Sequence, residues 1–252
     1  MADAIRVCIA GYRGKVGSVL AAALQGEPDI EYVGGVTRGD NLADFLHQKR
    51  PRALVDFTRP TEALHNALAA VAAGASPVIG TTGLSGSDVD KIETACHEKK
   101  IGGIVAPNFA VGAVLMMHLA DIAAPHFEAA EIIELHHAGK LDAPSGTALS
   151  TARRLGARRG ANPFAHRKAE KETLAGTRGG EEGNVAVHSV RLPGFVADQE
   201  VIFGLPGQIL TITHRTTSRE AYVPGVLLAI RKVTAEPRFY RGLDELLGLG
   251  IG

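Results

Sequence analysis

The run Ile5-Arg6-Val7-Cys8-Ile9-Ala10-Gly11-Tyr12-Arg13-Gly14-Lys15-Val16-Gly17 decides how this chain is read. Ile5 to Ala10 is short, largely apolar and rich in β-branched residues, the pattern of a buried strand. Val16, Leu20 and Leu24 then recur at helical spacing, and Gly26 can end that helix. Between strand and helix lie three glycines spaced G-x-x-G-x-x-G. The familiar dinucleotide fingerprint is G-x-G-x-x-G. In either spacing, glycines let backbone amides approach a pyrophosphate, and the helix start favours its negative charge. An ordinary tight turn would look the same in isolation. The position of the loop, at the first strand-to-helix junction of an alternating segment, makes Gly11, Arg13, Gly14, Lys15, Val16 and Gly17 candidate dinucleotide contacts.

Strand patterns continue at Ile30 to Val36, Ala53 to Phe57, Pro77 to Gly80 and Ile101 to Ala106. Helix patterns alternate with them. One carries Leu64, Leu68 and Val71 on a face and stops at Gly74; another starts at a Ser85 or Ser87 cap and carries Val89 and Ile92. Such alternation predicts an α/β domain, a doubly wound parallel sheet with helices on both faces. Ligands of such sheets bind outside the carboxyl ends of the strands. Three polar turns fall there: Asp56-Phe57-Thr58, Gly80-Thr81-Thr82-Gly83 and Ala106-Pro107-Asn108-Phe109. These residue types are also ordinary turn formers.

The character changes near Pro107. A helix pattern from Val111 to about His126 precedes a strand from Glu131 to His136 and a helix beginning near Ser145. Residues 161 to 184 read as a long polar connection, which in a compact domain is often functional or mobile. Val185 to Leu192, Gln199 to Leu205 and Ile209 to Arg215 read as strands, joined by Pro-Gly turns. A helix pattern from about Glu220 to Val233 follows. The expectation is a second, α+β domain with a mixed or antiparallel sheet.

Composition narrows the function. The 252 residues are 45% hydrophobic and 21% charged, enough to bury a real core. Lys plus Arg equals Asp plus Glu at 27 each, which leaves no broad electrostatic footprint for nucleic acid or an anionic membrane. Cys8 and Cys96 offer neither a disulfide framework nor metal-ligand spacing. The start, Met1-Ala2-Asp3-Ala4, lacks the form of a signal peptide, and no apolar run is long enough to span a bilayer. A soluble cytoplasmic protein is expected.

The most informative run is Glu134-Leu135-His136-His137-Ala138-Gly139-Lys140-Leu141-Asp142-Ala143-Pro144-Ser145-Gly146-Thr147-Ala148. Two histidines and a lysine leave a strand end, and a Pro-Ser-Gly-Thr turn opens a helix. Amides at a helix start can hold a carboxylate. Lys140 adds a point charge, and a histidine supplies a proton donor near neutral pH. Together they describe a site for a small anionic substrate that must be protonated. Surface histidines and a plain Ser145 N-cap would also fit. Metal binding does not: adjacent histidines point to opposite faces of a strand, and neither an HExxH motif nor a cysteine cluster is present.

These segments, in this order, resemble the dihydrodipicolinate reductase family over nearly the whole chain. The matching runs are Gly11 to Gly17, Asp56-Phe57-Thr58, Gly80 to Gly83, Ala106 to Gly112 and His136-His137 to Thr147; Gln199-Glu200-Val201 and Phe203-Gly204 also look like the family's later strands. The resemblance implies an NADPH- or NADH-dependent reductase of lysine and diaminopimelate biosynthesis, acting on a small cyclic dicarboxylate, 4-hydroxy-tetrahydrodipicolinate. It implies His136 as general acid, and Lys140 as a residue that binds substrate and supports proton transfer. His137, Thr82, Gly146 and Thr147 would touch substrate carboxylates. Gly11, Gly14 and Gly17 would line the pyrophosphate, with Phe57, Gly80, Thr82 and, more loosely, Ala106 and Phe109 on the nicotinamide side. It further implies a Rossmann domain of residues 1–106 and 217–252, a substrate-binding and oligomerisation domain of 107–216, and a homotetramer. Asp198 departs from the pattern, which has a histidine before Gln-Glu-Val; that bears on strand packing or tetramer contacts rather than on catalysis. Other Rossmann oxidoreductases and a non-catalytic dinucleotide sensor share the glycine loop, but neither accounts for the His-His-x-x-Lys run.

Cofactor preference is read from the residues. Selection for NAD usually places an acid at the end of the second strand. Here that strand runs into Thr37-Arg38-Gly39-Asp40. Arg38, with Arg13 and Lys15, suits a 2′-phosphate, and Asp40 reads as a turn residue. The expectation is that NADPH is used at least as well as NADH.

Overall fold

The computed structural model describes residues 3–165 and 170–249. Met1 and Ala2 of the expected leaderless start, and residues 166–169 of the polar connection, lie outside the described residues. The chain divides into two compact units, Met1–Val111 with Arg219–Gly252, and Gly112–Ser218.

The first unit opens with β1 (Ile5–Ala10), α1 (Gly17–Leu24), β2 (Ile30–Val36), α2 (Leu42–Lys49), β3 (Ala53–Asp56), α3 (Pro60–Ala72), β4 (Ser76–Ile79), α4 (Gly86–Lys99) and β5 (Gly103–Val105). β3 and β4 are buried along their whole length, as are Val7 to Ala10 of β1. Burial on both faces is what a continuous apolar run serves. The buried side of α3 is Ala63, Ala67, Ala70 and Val71. Leu64 and Leu68, expected on that face with Val71, are only half-buried; small side chains let the helix lie close to the strands. Ser85 caps α4 in a reciprocal capping box with Asp88, an arrangement contributing about 1 kcal/mol. The sequence reading missed α2, which rests on two buried leucines, Leu42 and Leu46, and an Asn41 cap on Asp44 N–H.

The second unit contains α5 (Val111–Ala123), which runs into a 3-10 turn (Ala124–His126), then β6 (Ala129–His136), α6 (Gly146–Arg159), β7 (Gly180–Glu182), β8 (Val185–Arg191), β9 (Ala197–Leu205) and β10 (Gln208–His214). The five strands lie in the order β10-β9-β6-β8-β7. β6 and β8 pair in parallel and the other neighbours antiparallel, so the sheet is mixed. β7 lies within the stretch read as a bare connection. Ala130 and Ile132 of β6 pack with Met116, Met117 and Ala120 of α5 and with Ala148, Ala152 and Leu155 of α6. Asp198 is buried in β9 and accepts the N–H of Thr216 at 3.0 Å. Its carboxylate thus ties the chain just beyond β10 to the sheet.

The chain then returns to the first unit through a 3-10 turn (Arg219–Tyr222), α7 (Val223–Ala235), β11 (Phe239–Tyr240) and α8 (Leu243–Leu246). β11 pairs in parallel with β5 and completes a six-stranded parallel sheet, β11-β5-β4-β3-β1-β2. The strand order reverses between β1 and β3, the switch point where such sheets bind ligands.

Candidate active site

The glycine loop and the turn after β3 flank that switch point. Within the loop, Gly14 N–H donates to Gly11 O at 2.8 Å and Ser18 N–H to Gly14 O at 3.0 Å. A Cβ on Gly17 would stand 2.2 Å from Gly11 O, so only glycine fits there. α1 starts at Gly17 without a side-chain cap. Ser18 N–H is held by Gly14 O, no side chain caps the helix, and a glycine-lined turn at a helix start fits a dinucleotide's pyrophosphate. A cleft of about 610 Å³ opens beside it, with walls that include Lys15, Val16, Phe57, Arg59, Gly80 and Thr82. A Cβ on Gly80 would fall 2.2 Å from the Phe57 ring. The Phe57 ring in turn packs 5.8 Å from that of Phe109, centroid to centroid. Ala106 and Phe109 have no exposed surface, so Phe109 serves this edge by supporting the Phe57 ring.

Asp56 holds this edge together. Fully buried at the end of β3, it accepts from Thr58 N–H (2.9 Å) and hydroxyl (2.8 Å), from Thr81 hydroxyl (2.7 Å) and from Asn66 Nδ2 (2.7 Å). One carboxylate thereby joins the turns after β3 and β4 to α3. Asn66 and Arg59 went unnoticed in the sequence because neither belongs to a recognisable motif. At the end of β2, Asp40 Oδ2 accepts from Thr37 N–H (2.7 Å) and hydroxyl (3.0 Å). Those hydrogen bonds, with a smaller contribution from Arg13, hold its carboxyl below the ordinary value. Arg38 is exposed nearby in sequence, and Arg13 lies over the Tyr12 ring at 5.3 Å.

In the second unit, β6 delivers His136 at its last position. Glu134, two residues earlier and on the same face, is fully buried. His136 Nδ1 is hydrogen-bonded to Glu134 Oε2. Arg191 makes a forked pair with Glu134, Nη1 to Oε2 at 2.9 Å and Nη2 to Oε1 at 2.7 Å. Ser145 N–H donates to Glu134 Oε1 at 3.2 Å, and Ser145 Oγ accepts from Ala148 N–H at 3.1 Å as the cap of α6. Gly146 and Thr147 open that helix, and nothing stands within 4 Å of where a Gly146 Cβ would be. Lys140 Nζ is held by Asp142 at 2.7 and 2.8 Å. The His137 ring lies over Gly139, whose Cβ would be 3.5 Å from Nδ1.

Burial pulls the His136 imidazole below its ordinary value; the Glu134 carboxylate pushes the other way, and Lys140 and Arg191 add to the lowering. Burial alone would raise Glu134, but the bonds from Arg191, Ser189 and His136 outweigh it and hold the carboxyl low. Glu134 therefore stays ionised. Among the described residues no group of three or more His, Cys, Asp or Glu could hold a metal.

Comparison with known proteins places the chain in a family. The family model for the N-terminal part of dihydrodipicolinate reductase matches residues 5–109, and that for the C-terminal part matches 112–247. The chain belongs to the dihydrodipicolinate reductase family. A 4-hydroxy-tetrahydrodipicolinate reductase of Moorella thermoacetica is 47% identical, covering 98% of this chain and 99% of the relative. One from Coxiella burnetii is 42% identical over 97% and 100%. The solved structure of a dipicolinate-bound dihydrodipicolinate reductase from Paenisporosarcina sp. TG-14 superposes with a TM-score of 0.87 at 35% identity, over 96% of this chain and 99% of that one. An amine dehydrogenase from Mycobacterium smegmatis, at 13% identity and a TM-score of 0.66, shares the fold.

Proposed function

We propose that this family member reduces 4-hydroxy-tetrahydrodipicolinate to tetrahydrodipicolinate with NAD(P)H, in lysine and diaminopimelate biosynthesis. The observation that carries the reading is His136, set on a buried carboxylate beside Lys140 and the start of α6, in a chain that matches the family end to end. The first unit binds the dinucleotide in the glycine cradle, and the second binds the dicarboxylate.

The substrate loses its hydroxyl together with a hydrogen of the adjacent ring carbon as water, which gives a conjugated ring. A nicotinamide dinucleotide held by the glycine loop would supply hydride for one ring carbon, leaving negative charge at the far end of the conjugated system for the protein to quench. His136 Nε2 donates a proton there and becomes neutral, its Nδ1–H remaining on Glu134. Lys140 with His137 anchors one carboxylate, Lys140 exchanging its Asp142 contact for the substrate. The amides of Gly146 and Thr147 anchor the other. Two bound carboxylates stabilise the imidazolium, so the enzyme-substrate complex holds the acid form to higher pH than the free enzyme does.

NADPH serves at least as well as NADH. Arg13, Lys15 and Arg38 favour a 2′-phosphate, while Asp40, turned onto Thr37, keeps the preference small. The protein works in the cytoplasm as a homotetramer. No helix among the described residues is long and apolar enough to cross a membrane. On the sheet face opposite α5 and α6, Ile133 and Leu135 are half-buried and Ile209 is 76% exposed, an apolar surface suited to a partner sheet. The deciding assay couples the purified protein to a dihydrodipicolinate synthase and follows NAD(P)H absorbance. Absence of synthase-dependent oxidation with either cofactor would overturn the reading.

A further inference from the structure

Every contact to the Glu134 carboxylate comes from a donor. Arg191 supplies two, at 2.7 and 2.9 Å, the Ser145 amide one at 3.2 Å, and Ser189 its hydroxyl. The remaining contact is His136 Nδ1. An ionised carboxylate accepts only, so Nδ1 must carry a proton in both states of the ring. Arg191 is the direct neighbour of His136 in the β6–β8 register. It also donates Nη2 to Asp142 O at 2.7 Å, tying the segment that bears Lys140 to the same pair.

We propose that Glu134 is a positioning residue: it holds His136 by Nδ1–H so that Nε2 alone is presented for proton transfer, while Arg191 and the start of α6 fix Glu134 in turn. The inference rests on the reading of His136 as the proton donor. An unpaired buried carboxylate beside an imidazolium would trap the proton. Because the forked Arg191 pair shares the charge of Glu134, the carboxylate orients the ring without making it a poor acid. A glutamine at 134 breaks this arrangement. Its NH2 group, placed on either side, meets donors aimed at it, and where it faces Nδ1 it favours the opposite tautomer. The loss then resembles that of catalytic dyads whose acid is replaced by an amide, in which a wrong tautomer costs far more than a lost contact.

The test is histidine 15N NMR on the full-length protein, with His136 assigned by difference from His136→Gln, above the pH at which the ring titrates. The wild type should carry its proton on Nδ1 and leave Nε2 bare. In Glu134→Gln, Nε2–H should appear and kcat should fall by about 10²-fold, in the range for general acid catalysis. KM for the dicarboxylate should change little, and the alkaline fall of kcat should move to lower pH. A merely structural Glu134 would lower the melting temperature and leave tautomer and pH profile alone; that outcome, or Nε2–H in the wild type, overturns the proposal. Should Glu134→Gln not fold, the wild-type spectrum still decides. A wild type with Nδ1–H but without synthase-dependent turnover would overturn the functional reading and leave the positioning intact.

Discussion

In the first unit the site depends on close backbone approach: glycines at 17 and 80 stand where a Cβ would collide, and the buried acid Asp56 binds turns rather than ligand. In the second unit the glycine at the helix start has open space around it, and the site is made of ionised side chains that fix one another. A cofactor common to many enzymes needs shape and amides. A substrate that must be protonated needs a group whose acidity is set. The two units should therefore fail differently under mutation.

The largest effect should come from the side-chain site. His136→Gln is expected to lower kcat by about 10²-fold or more with dinucleotide binding unchanged, measured by steady-state absorbance and by fluorescence titration. In the backbone site, Gly17→Ala places a methyl 2.2 Å from Gly11 O. Dinucleotide affinity should drop at least about tenfold, or 1.4 kcal/mol, as read by calorimetric titration; retained affinity would mean the loop does not hold the pyrophosphate. Gly146→Ala provides the contrast, with stability expected within about 0.5 kcal/mol of wild type by thermal melting.

Asp56→Asn turns an acceptor-only group into one that also donates, facing four donors. It should cost about 1–3 kcal/mol of stability by denaturant titration, and weaken dinucleotide binding more than dicarboxylate binding. The pH profiles come next. With His136 as the proposed proton donor, kcat/KM should fall as pH rises past the lowered value of the free enzyme. The fall of kcat should lie at higher pH, because bound carboxylates raise the acid. Coincident limbs would mean the dicarboxylate does not reach His136. The smallest effect is expected at the end of β2: Arg38→Ala should lower kcat/KM for NADPH a few-fold and leave NADH unchanged, since an exposed charge is screened.

What was legible in the sequence follows the same division. The glycine loop, the strand alternation and the His-His-x-x-Lys run are local patterns, and each could be read where it stands. Glu134 stood in plain view at the head of that run, yet its role depends on Arg191, which lies 57 residues away and is joined to it only by the β6–β8 pairing. The usable signal was parity: Ala130, Ile132 and Glu134 share the buried face of one strand, so an acid in that series demands a cation. α2 escaped because so little of it is buried, and β11 because two residues leave no periodicity to detect. Asp198 was an anomaly until its bond to the Thr216 amide gave it work.

The return of the chain to its first unit also sets an order of assembly. β5 gains its outer neighbour only when Phe239 and Tyr240 arrive, more than a hundred residues later. Arg231 of α7 likewise reaches back to Glu27 and Asp29. On the ribosome the second unit can close while the first still carries a bare strand edge, the kind that invites pairing with another chain. The segment that carries β11 is therefore what covers this edge of the sheet. A stop codon shortly before Phe239 would release a chain with its second unit whole and its dinucleotide sheet open at one side.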